Sequence, residues 1–229
     1  MTERGGDGSN RSRSYTLSEF ESKKLLARHG VPMPQDRLAG DLEEAVAAAA
    51  EIGGSVALKL CGARIAHKTE RGLVRLGLEG ADAVRVAAAE LLAAATDDDG
   101  EVSLIVAPMV RGHRELIAGL NRDPHFGMTI MVGLGGIFAE ALGDVSIRLV
   151  PIDRVDAEDM IDELANQAIL GPFRGEPPVD RAALVDILLG LSRAGAEEPR
   201  LVSADINPLI VTEGVPVAVD ALVELEGTP

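Results

Sequence analysis

The sequence predicts an α+β fold built from two lobes. In the first half of the chain, apolar strand patterns alternate with alanine- and leucine-rich helix patterns, whereas the second half opens with consecutive strand patterns joined by short connections. With 229 residues, 46% of them hydrophobic, the chain has enough apolar material for a substantial core. We expect a flexible tail over residues 1–14, an N-terminal lobe over residues 15–106 and a C-terminal lobe over residues 107–229.

Start and stop signals place the elements of the first half. Thr16-Leu-Ser-Glu19 has the spacing of a capping box and predicts the start of a helix that ends at Gly30. Asp41 is a second N-cap signal, and the alanine-rich helix behind it ends at Gly53. A third helix is predicted over residues 82–95, and strands are predicted to end near residue 39 and to cover residues 55–60 and 73–78.

The second half is predicted to be rich in strands. Apolar and alternating patterns predict strands over residues 102–110, 114–121, 128–132, 137–142 and 145–150. Helices are predicted over residues 156–165 and 180–194, and two further strands over residues 201–211 and 215–225.

Charge and composition exclude several classes of function. A net charge of −15 argues against a nucleic-acid or anionic membrane surface, so an anionic ligand needs a local cationic pocket. No stretch reaches the ~18 apolar residues of a membrane helix, and the N-terminus lacks the apolar segment of a signal peptide. The single cysteine, Cys61, has no evident partner for catalysis and fits a reducing cytoplasm.

Scarce cations gather around one glycine-flanked loop. The chain has only four lysines and four histidines, yet Lys59, His67 and Lys68 fall within ten residues. Lys59 interrupts an apolar run, where a lysine either faces water from an edge strand or is held by an anion such as phosphate. His67 is either a surface residue or a nucleophile for a phosphoryl group, since imidazole forms covalent intermediates.

Oxygen-bearing side chains near the C-terminus form a second pattern. Asp205 and Asn207 share one face of a strand because side chains alternate. A hairpin that turns at Glu213-Gly214 places Asn207 opposite Asp220, and such ligands suit Mg²⁺. Pro208 counts against this pairing because it has no backbone N–H, and an ordinary surface hairpin is the alternative.

Two weaker signals lie between these regions. Glu115, in an alternating strand, either accepts hydrogen bonds from a ribose or an amine, or faces solvent. Gly133-Leu-Gly-Gly136 lacks the spacing of a phosphate-binding loop and serves equally well as a tight strand connection.

The order of the motifs is more specific than any one of them. The motifs are Val56-Ala-Leu-Lys-Leu60, Ile65-Ala-His-Lys-Thr69, Glu115-Leu-Ile-Ala-Gly119, Arg122-Asp-Pro-His-Phe-Gly127, Gly133-Leu-Gly-Gly-Ile-Phe-Ala-Glu140 with Asp144 and Pro151, and Asp205-Ile-Asn-Pro-Leu209 with Asp220. In this order the chain resembles the ATP-grasp domain of the ADP-forming acyl-CoA synthetases, related to the β subunit of succinyl-CoA synthetase.

The resemblance implies an ATP-grasp fold that grips a nucleotide between two lobes. It implies that Lys59 contacts the phosphates of ATP or ADP and that Lys68 stabilises the transferring phosphoryl group. Val106 and Met109 would belong to the strand whose backbone groups contact the edge of the adenine ring. Glu115 would bind the nucleoside.

The same resemblance implies the chemistry. His67 would carry the phosphoryl group, Asp205 would orient the phosphohistidine, and Asn207 and Asp220 would hold Mg²⁺. The family reaction converts acyl-CoA, ADP and phosphate to a carboxylate, CoA and ATP. This chain would be a separate β subunit in a hetero-oligomer with an α subunit that carries the CoA-binding and phosphohistidine domains.

The chain departs from the family pattern in four places. Glu70 replaces an Asp, Leu73 replaces a Gly, Ala63-Arg64 stand where relatives often have Pro-Asp, and Ala107 stands where a Glu or Gln often faces adenine. Another ATP-grasp carboxylate ligase and a non-catalytic nucleotide-binding subunit are therefore the alternative functions. The acyl group, the choice of ATP or GTP and the direction of the reaction are left open by the sequence.

Overall fold

The computed structural model describes residues 14–65, 68, 70–136 and 143–228. The helices are α1 (Glu19–Arg28), α2 (Leu42–Ile52), α3 (Ala81–Ala93), α4 (Arg154–Asp162) and α5 (Arg181–Glu197). The strands are β1 (Ser14–Thr16), β2 (Arg37–Ala39), β3 (Val56–Cys61), β4 (Val74–Leu78), β5 (Ser103–Pro108), β6 (Arg114–Asp123), β7 (Gly127–Leu134), β8 (Val145–Leu149), β9 (Leu201–Thr212), β10 (Val215–Ala218) and β11 (Leu222–Glu226).

The smaller of the two sheets has the strand order β2-β5-β3-β4, and all its pairs are antiparallel. Val56, Leu58 and Leu60 of β3 join the hydrophobic core that this sheet shares with α2 and α3. Because side chains alternate along a strand, Lys59 and Cys61 point to the opposite face. Strand β3 lies between β5 and β4, so the interpretation of Lys59 as an edge-strand residue facing water is wrong.

The larger sheet has seven strands in the order β1-β11-β9-β6-β7-β8, with β10 also paired to β9. Helices α4 and α5 cover one face, and the core there includes Leu116 and Ala118 of β6 and Ile206 of β9. Asp205 and Asn207 flank Ile206 in β9 and are exposed on the opposite face of the sheet.

Helix α1 lies where the two sheets meet. Leu26 packs into the core of the larger sheet, whereas Phe20 packs against Cys61, Ile105 and Ala107 of the smaller one. Ser22 Oγ accepts a hydrogen bond from the backbone N–H of Val223 at 3.0 Å. The charged residues on the buried side of α1 are therefore placed between the sheets.

The α+β class is confirmed, and most predicted elements are present. The start of α1 is corrected: Ser18 is the N-cap, with Glu21 completing the capping box, and Thr16 belongs to β1. The single strand predicted over residues 215–225 is wrong, since residues 219–221 separate β10 from β11. The strand predicted over residues 137–142 lies outside the described residues.

The predicted division into lobes at residues 106 and 107 remains a prediction. Strand β5 runs across this position within the smaller sheet, and the change to the larger sheet comes between β5 and β6. In the described part of the chain, no helix is long and apolar enough to cross a membrane.

Candidate functional site

A cleft of about 210 Å³ opens between the smaller sheet and the segment that joins β10 to β11. Its walls are largely apolar side chains from both sheets, and its charged groups are Lys23, Lys59 and Asp220. The apolar walls are formed by Pro34, Ala57, Val74, Leu76, Ala107, Pro108, Met109, Val110, Pro208, Ile210 and Val219. Such a cleft suits a ligand with one flat apolar part and one anionic part.

Three of the four lysines in the chain converge on one carboxylate, that of Glu19. Lys59 Nζ lies 2.6 Å and Lys23 Nζ 3.0 Å from Glu19 Oε1. Lys68 Nζ lies 2.8 Å from Glu19 Oε2. Only 1% of the Glu19 side chain is exposed, so its negative charge is balanced by these lysines rather than by water.

The lysines are also tied to the β10–β11 segment. Both Lys59 Nζ and Lys23 Nζ donate to the carbonyl oxygen of Val219, at 2.7 and 2.9 Å. Lys68 Nζ donates to Asp220 Oδ1 at 3.3 Å, and Lys23 Nζ donates to Asp36 Oδ2 at 2.7 Å. The cluster therefore joins α1, β3 and the loop after β3 to the segment that carries Asp220.

The charges in this cluster reinforce one another. Burial by itself raises the pKa of Glu19, but the charges of Lys59, Lys23 and Lys68 outweigh it and lower the pKa to about 2. Burial likewise works against the charge of Lys23 and Lys68, yet Glu19 and a second carboxylate raise the pKa of each lysine. Glu19 and these lysines are therefore ionised at neutral pH.

Asp220 lies at the position predicted from the hairpin. The turn at Glu213 and Gly214 has positive φ at both residues, as a two-residue hairpin requires, and pairs Val215 with Thr212 and Ala218 with Leu209. This register is the predicted one. Asp220 follows within the break between β10 and β11, opposite the irregular stretch of β9 that contains Asn207.

Pro208 fits because the ladder is interrupted there. The register between β6 and β9 shifts between Leu116 and Ala118, which leaves residues 207 and 208 outside regular pairing. The carbonyl of Pro208 accepts from the backbone N–H of Val219 at 3.2 Å. The missing N–H of Pro208 therefore costs the sheet no ladder hydrogen bond.

The acidic groups of this region fit a divalent cation. Burial, followed by the nearby charge of Glu19, raises the pKa of Asp220, with the lysines opposing. Partial burial by neighbouring groups, and then the charge of Asp220, raises the pKa of Asp205, although part of this side chain is exposed. Asp220 therefore carries a negative charge that affects its neighbours, and a cation bound beside it would offset that charge. Among the described residues no cluster of three or more His, Cys, Asp or Glu that could hold a metal ion is found.

Contacts of Arg71 and Leu73 hold the later part of the loop after β3. Arg71 donates to both carboxylate oxygens of Asp99, at 2.7 and 2.9 Å, and the backbone N–H of Leu73 donates to the carbonyl of Lys68 at 2.8 Å. These contacts fix the position of Lys68 beside the cleft. His67, the predicted phosphoryl carrier, lies outside the described residues.

The remaining predicted residues divide between three places. Met109 lines the cleft, and its backbone N–H donates to the carbonyl of Ser55 at 3.0 Å. Val106 is fully buried in the core of the smaller sheet and is not among the residues that line the cleft. Glu115 lines a neighbouring cavity of about 330 Å³ with Gly136. Glu115 nevertheless pairs with Ile210 of the cleft wall, so both side chains point to the same face of the sheet.

Sequence reasoning missed Glu19, Lys23 and Asp36. One signal was present, because Glu19, Lys23 and Leu26 recur at helical spacing and therefore share one face of α1. Two charged residues on the same face as a buried leucine indicate a buried ion pair. The partners of that pair come from distant parts of the chain, and local spacing does not reveal them.

Comparison with known proteins gives consistent matches over almost the whole chain. The family model of an ATP-grasp domain matches residues 9–225. The chain is 39% identical over 218 residues to subunit beta of the ADP-forming acetate–CoA ligase II of Pyrococcus furiosus, covering 92% of each chain. It is 34% identical to the ADP-forming 4-hydroxybutyrate–CoA ligase of Nitrosopumilus maritimus. That match covers 86% of this chain but 29% of the longer protein.

Solved structures of a related enzyme also match this chain over most of its length. Acetyl-coenzyme A synthetase 1 of Candidatus Korarchaeum cryptofilum, in complex with coenzyme A and Ca-AMPCP, superposes with a TM-score of 0.86 at 37% identity, covering 93% of this chain and 94% of that one. The same protein has been solved with Mg-AMPPCP and a phosphohistidine segment that points towards the nucleotide-binding site.

Proposed function

Because the chain belongs to the ATP-grasp family, among the β subunits of ADP-forming acetate–CoA ligases, we propose that it is the nucleotide-binding subunit of an ADP-forming acyl-CoA synthetase. The ATP-grasp fold expected from the sequence is thereby confirmed. The enzyme is a ligase, and its overall reaction interconverts acyl-CoA, ADP and phosphate with a carboxylate, CoA and ATP.

The observation that carries this proposal is the lysine cluster beside Asp220. An otherwise acidic chain places Lys59 in the lining of a cleft with apolar walls, and Lys68 is paired to Asp220, which also lines it. The apolar walls fit a purine, and the lysines fit its phosphates. This arrangement supports binding of ADP or ATP with the base between the sheets and the phosphates towards Lys59 and Lys68.

The reaction assigned to this subunit is phosphoryl transfer between a phosphohistidine and ADP. As the N–P bond of the phosphohistidine breaks, a bond forms from phosphorus to the terminal oxygen of ADP, and the histidine nitrogen recovers its lone pair. Negative charge on the transferring group is stabilised by Lys59 and Lys68, which are already oriented before reaction. Asn207 and Asp220 would hold Mg²⁺, which would supply positive charge to offset that of the phosphates.

His67 and Asp205 complete the proposal. His67 adjoins Lys68 in sequence, which supports its role as the phosphoryl carrier. Asp205 lies on the cleft side of β9 with a raised pKa, which supports its role in orienting a phosphohistidine through a hydrogen bond. The further nucleotide contacts proposed are Met109 through its backbone, Val106 and Glu115.

The partner proposed is an α subunit that carries the CoA-binding and phosphohistidine domains. Two relatives of similar length are named as β subunits, whereas longer relatives contain the matched region in a single chain. The cytoplasm is the proposed compartment, since the one cysteine of the chain is free and buried.

The test is formation of ATP by the complete enzyme. The chain is produced together with its α partner, and ATP is measured after adding acetyl-CoA, Mg-ADP and phosphate. We expect ATP with the wild-type complex, none with this chain alone, and loss of activity in His67→Ala and Asp220→Ala. Retained activity in both variants would contradict the assigned roles. A complex that binds Mg-ADP but forms no labelled phosphoenzyme from any acyl-CoA would favour a non-catalytic subunit.

A further inference from the structure

The hydrogen-bond donors of the three clustered lysines are unequally used. An ammonium group has three N–H donors. Lys23 donates to Asp36 and Val219, at 2.7 and 2.9 Å, and forms an ion pair with Glu19 at 3.0 Å, so it has three partners. Among the described residues, Lys59 donates to Glu19 and Val219, whereas Lys68 donates to Asp220 and forms an ion pair with Glu19, so each has two partners.

The carboxylate of Glu19 is the acceptor common to all three lysines. It occupies the first turn of α1 and is almost completely buried. Its two oxygens divide the lysines, with Lys59 and Lys23 on Oε1 and Lys68 on Oε2. A buried residue in this position does not contact a nucleotide, but it fixes the position of each ammonium that does.

We propose that Glu19 is a positioning residue for phosphate recognition, which holds the ammonium groups of Lys59 and Lys68 where they can bind phosphates in the cleft. This inference rests on the proposed function, because it concerns the same nucleotide site. Lys23 has a structural role in it: its three bonds tie Glu19 to the loop before β2 and to the carbonyl of Val219, next to Asp220.

The chemistry of the carboxylate explains why a neutral residue does not replace it. Glutamine has nearly the same shape as glutamate, but it offers one acceptor oxygen and an amide that is itself a donor. In Glu19→Gln one of the two oxygens that receive lysines becomes an N–H group facing an ammonium. At least one of the lysines must then turn away, while the apolar walls of the cleft are unchanged.

The experiment separates the phosphate contribution to binding from the base contribution. Dissociation constants for adenosine and for Mg-ADP are measured by titration calorimetry on the folded chain, and their ratio reports how much the phosphates add. In Glu19→Gln we expect this ratio to fall by about tenfold or more, the worth of one charge-assisted hydrogen bond, with adenosine affinity unchanged. Glu21→Gln, in the same helical turn and hydrogen-bonded to the Ser18 cap, is the matched control and keeps the wild-type ratio.

A second variant distinguishes the loss of lysine positioning from misfolding of the protein. Glu19→Asp keeps the charge but is shorter by one methylene, so we expect a ratio between those of the wild type and Glu19→Gln, that is, a partial rescue. An unchanged or increased ratio in either variant would overturn the inference, because Glu19 would then be dispensable or would compete with phosphate. Equal loss of adenosine and Mg-ADP affinity would show a merely structural role and would also overturn it. A wild type that binds neither ligand would instead refute the proposed function itself.

Discussion

Replacing Lys59 with methionine tests the most direct contact of the account. Methionine is also unbranched, is shorter by only one atom, and removes the charge. The structure predicts a modest cost in stability, because Glu19 retains Lys23 at 3.0 Å and Lys68 at 2.8 Å, and the carbonyl of Val219 retains Lys23 at 2.9 Å. No buried acceptor loses its last partner. We therefore expect a loss of about 1–2 kcal/mol of unfolding free energy, the net worth of a buried hydrogen-bonded pair.

The effect on nucleotide affinity should be larger than the effect on stability. A hydrogen bond between an ammonium and a phosphate contributes about 1.5–3 kcal/mol, which corresponds to a rise of about 10- to 150-fold in the dissociation constant for Mg-ADP. Titration calorimetry measures the affinity, and urea unfolding measures the stability of the same preparation. Lys24→Met is the matched control, because Lys24 is exposed on α1 and its removal changes the net charge equally.

The reasoning would be refuted by a folded Lys59→Met protein that binds Mg-ADP with wild-type affinity while Lys24→Met does the same. Lys59 would then serve only to balance the charge of Glu19. An equal loss in both variants would point to net charge rather than to a specific phosphate contact.

Three further predictions concern the surroundings of the site. Because the pKa of Glu19 is lowered from 4.5 to about 2, its contribution to stability is complete above about pH 4.5 and is lost as the pH falls towards 2; the stability difference between wild type and Glu19→Gln, measured by urea unfolding, should shrink over that window. In Gly119→Ala the new Cβ would lie 2.8 Å from the carbonyl oxygen of Ala204, so urea unfolding should show a loss of about 1–3 kcal/mol; unchanged stability would contradict this close packing of β6 on β9. Asp205→Asn should leave Mg-ADP affinity unchanged but slow phosphoryl transfer in the complete enzyme by about 10- to 100-fold, the usual effect of losing an orienting partner, and a parallel loss of affinity would place Asp205 in nucleotide binding instead.

The features that the sequence predicted correctly depend on residues close together in the chain. The hairpin register was predictable because a Glu-Gly pair between two strand patterns favours a two-residue turn, and the turn fixes every pairing that follows it. The apolar run around Lys59 left two explanations, an edge strand or a bound anion, and the place of β3 between two strands decides for the buried one.

What the sequence did not reveal depends on contacts between distant segments. Thr16 and Glu19 have capping-box spacing, and so have Ser18 and Glu21; spacing alone does not say which pair caps α1. If Thr16 is taken as the cap, Glu19 belongs to the capping box, and nothing then indicates its place at the centre of the lysine cluster. The pattern of residues 215–225 also gives no sign of the break between β10 and β11. At this break the carbonyl of Val219 accepts hydrogen bonds from Lys23 and Lys59, which are distant in sequence.

The central claim is that Mg-nucleotide binds between the two sheets beside Asp220, and thermal unfolding with and without Mg-ADP tests it most directly. A ligand at about 100 times its dissociation constant adds about 2.7 kcal/mol to the stability of the folded state, which raises the Tm of a chain of this size by about 5–10 °C. We predict this rise for the wild type and its loss in Asp220→Ala. No rise in the wild type, or an equal rise in both proteins, would contradict the account.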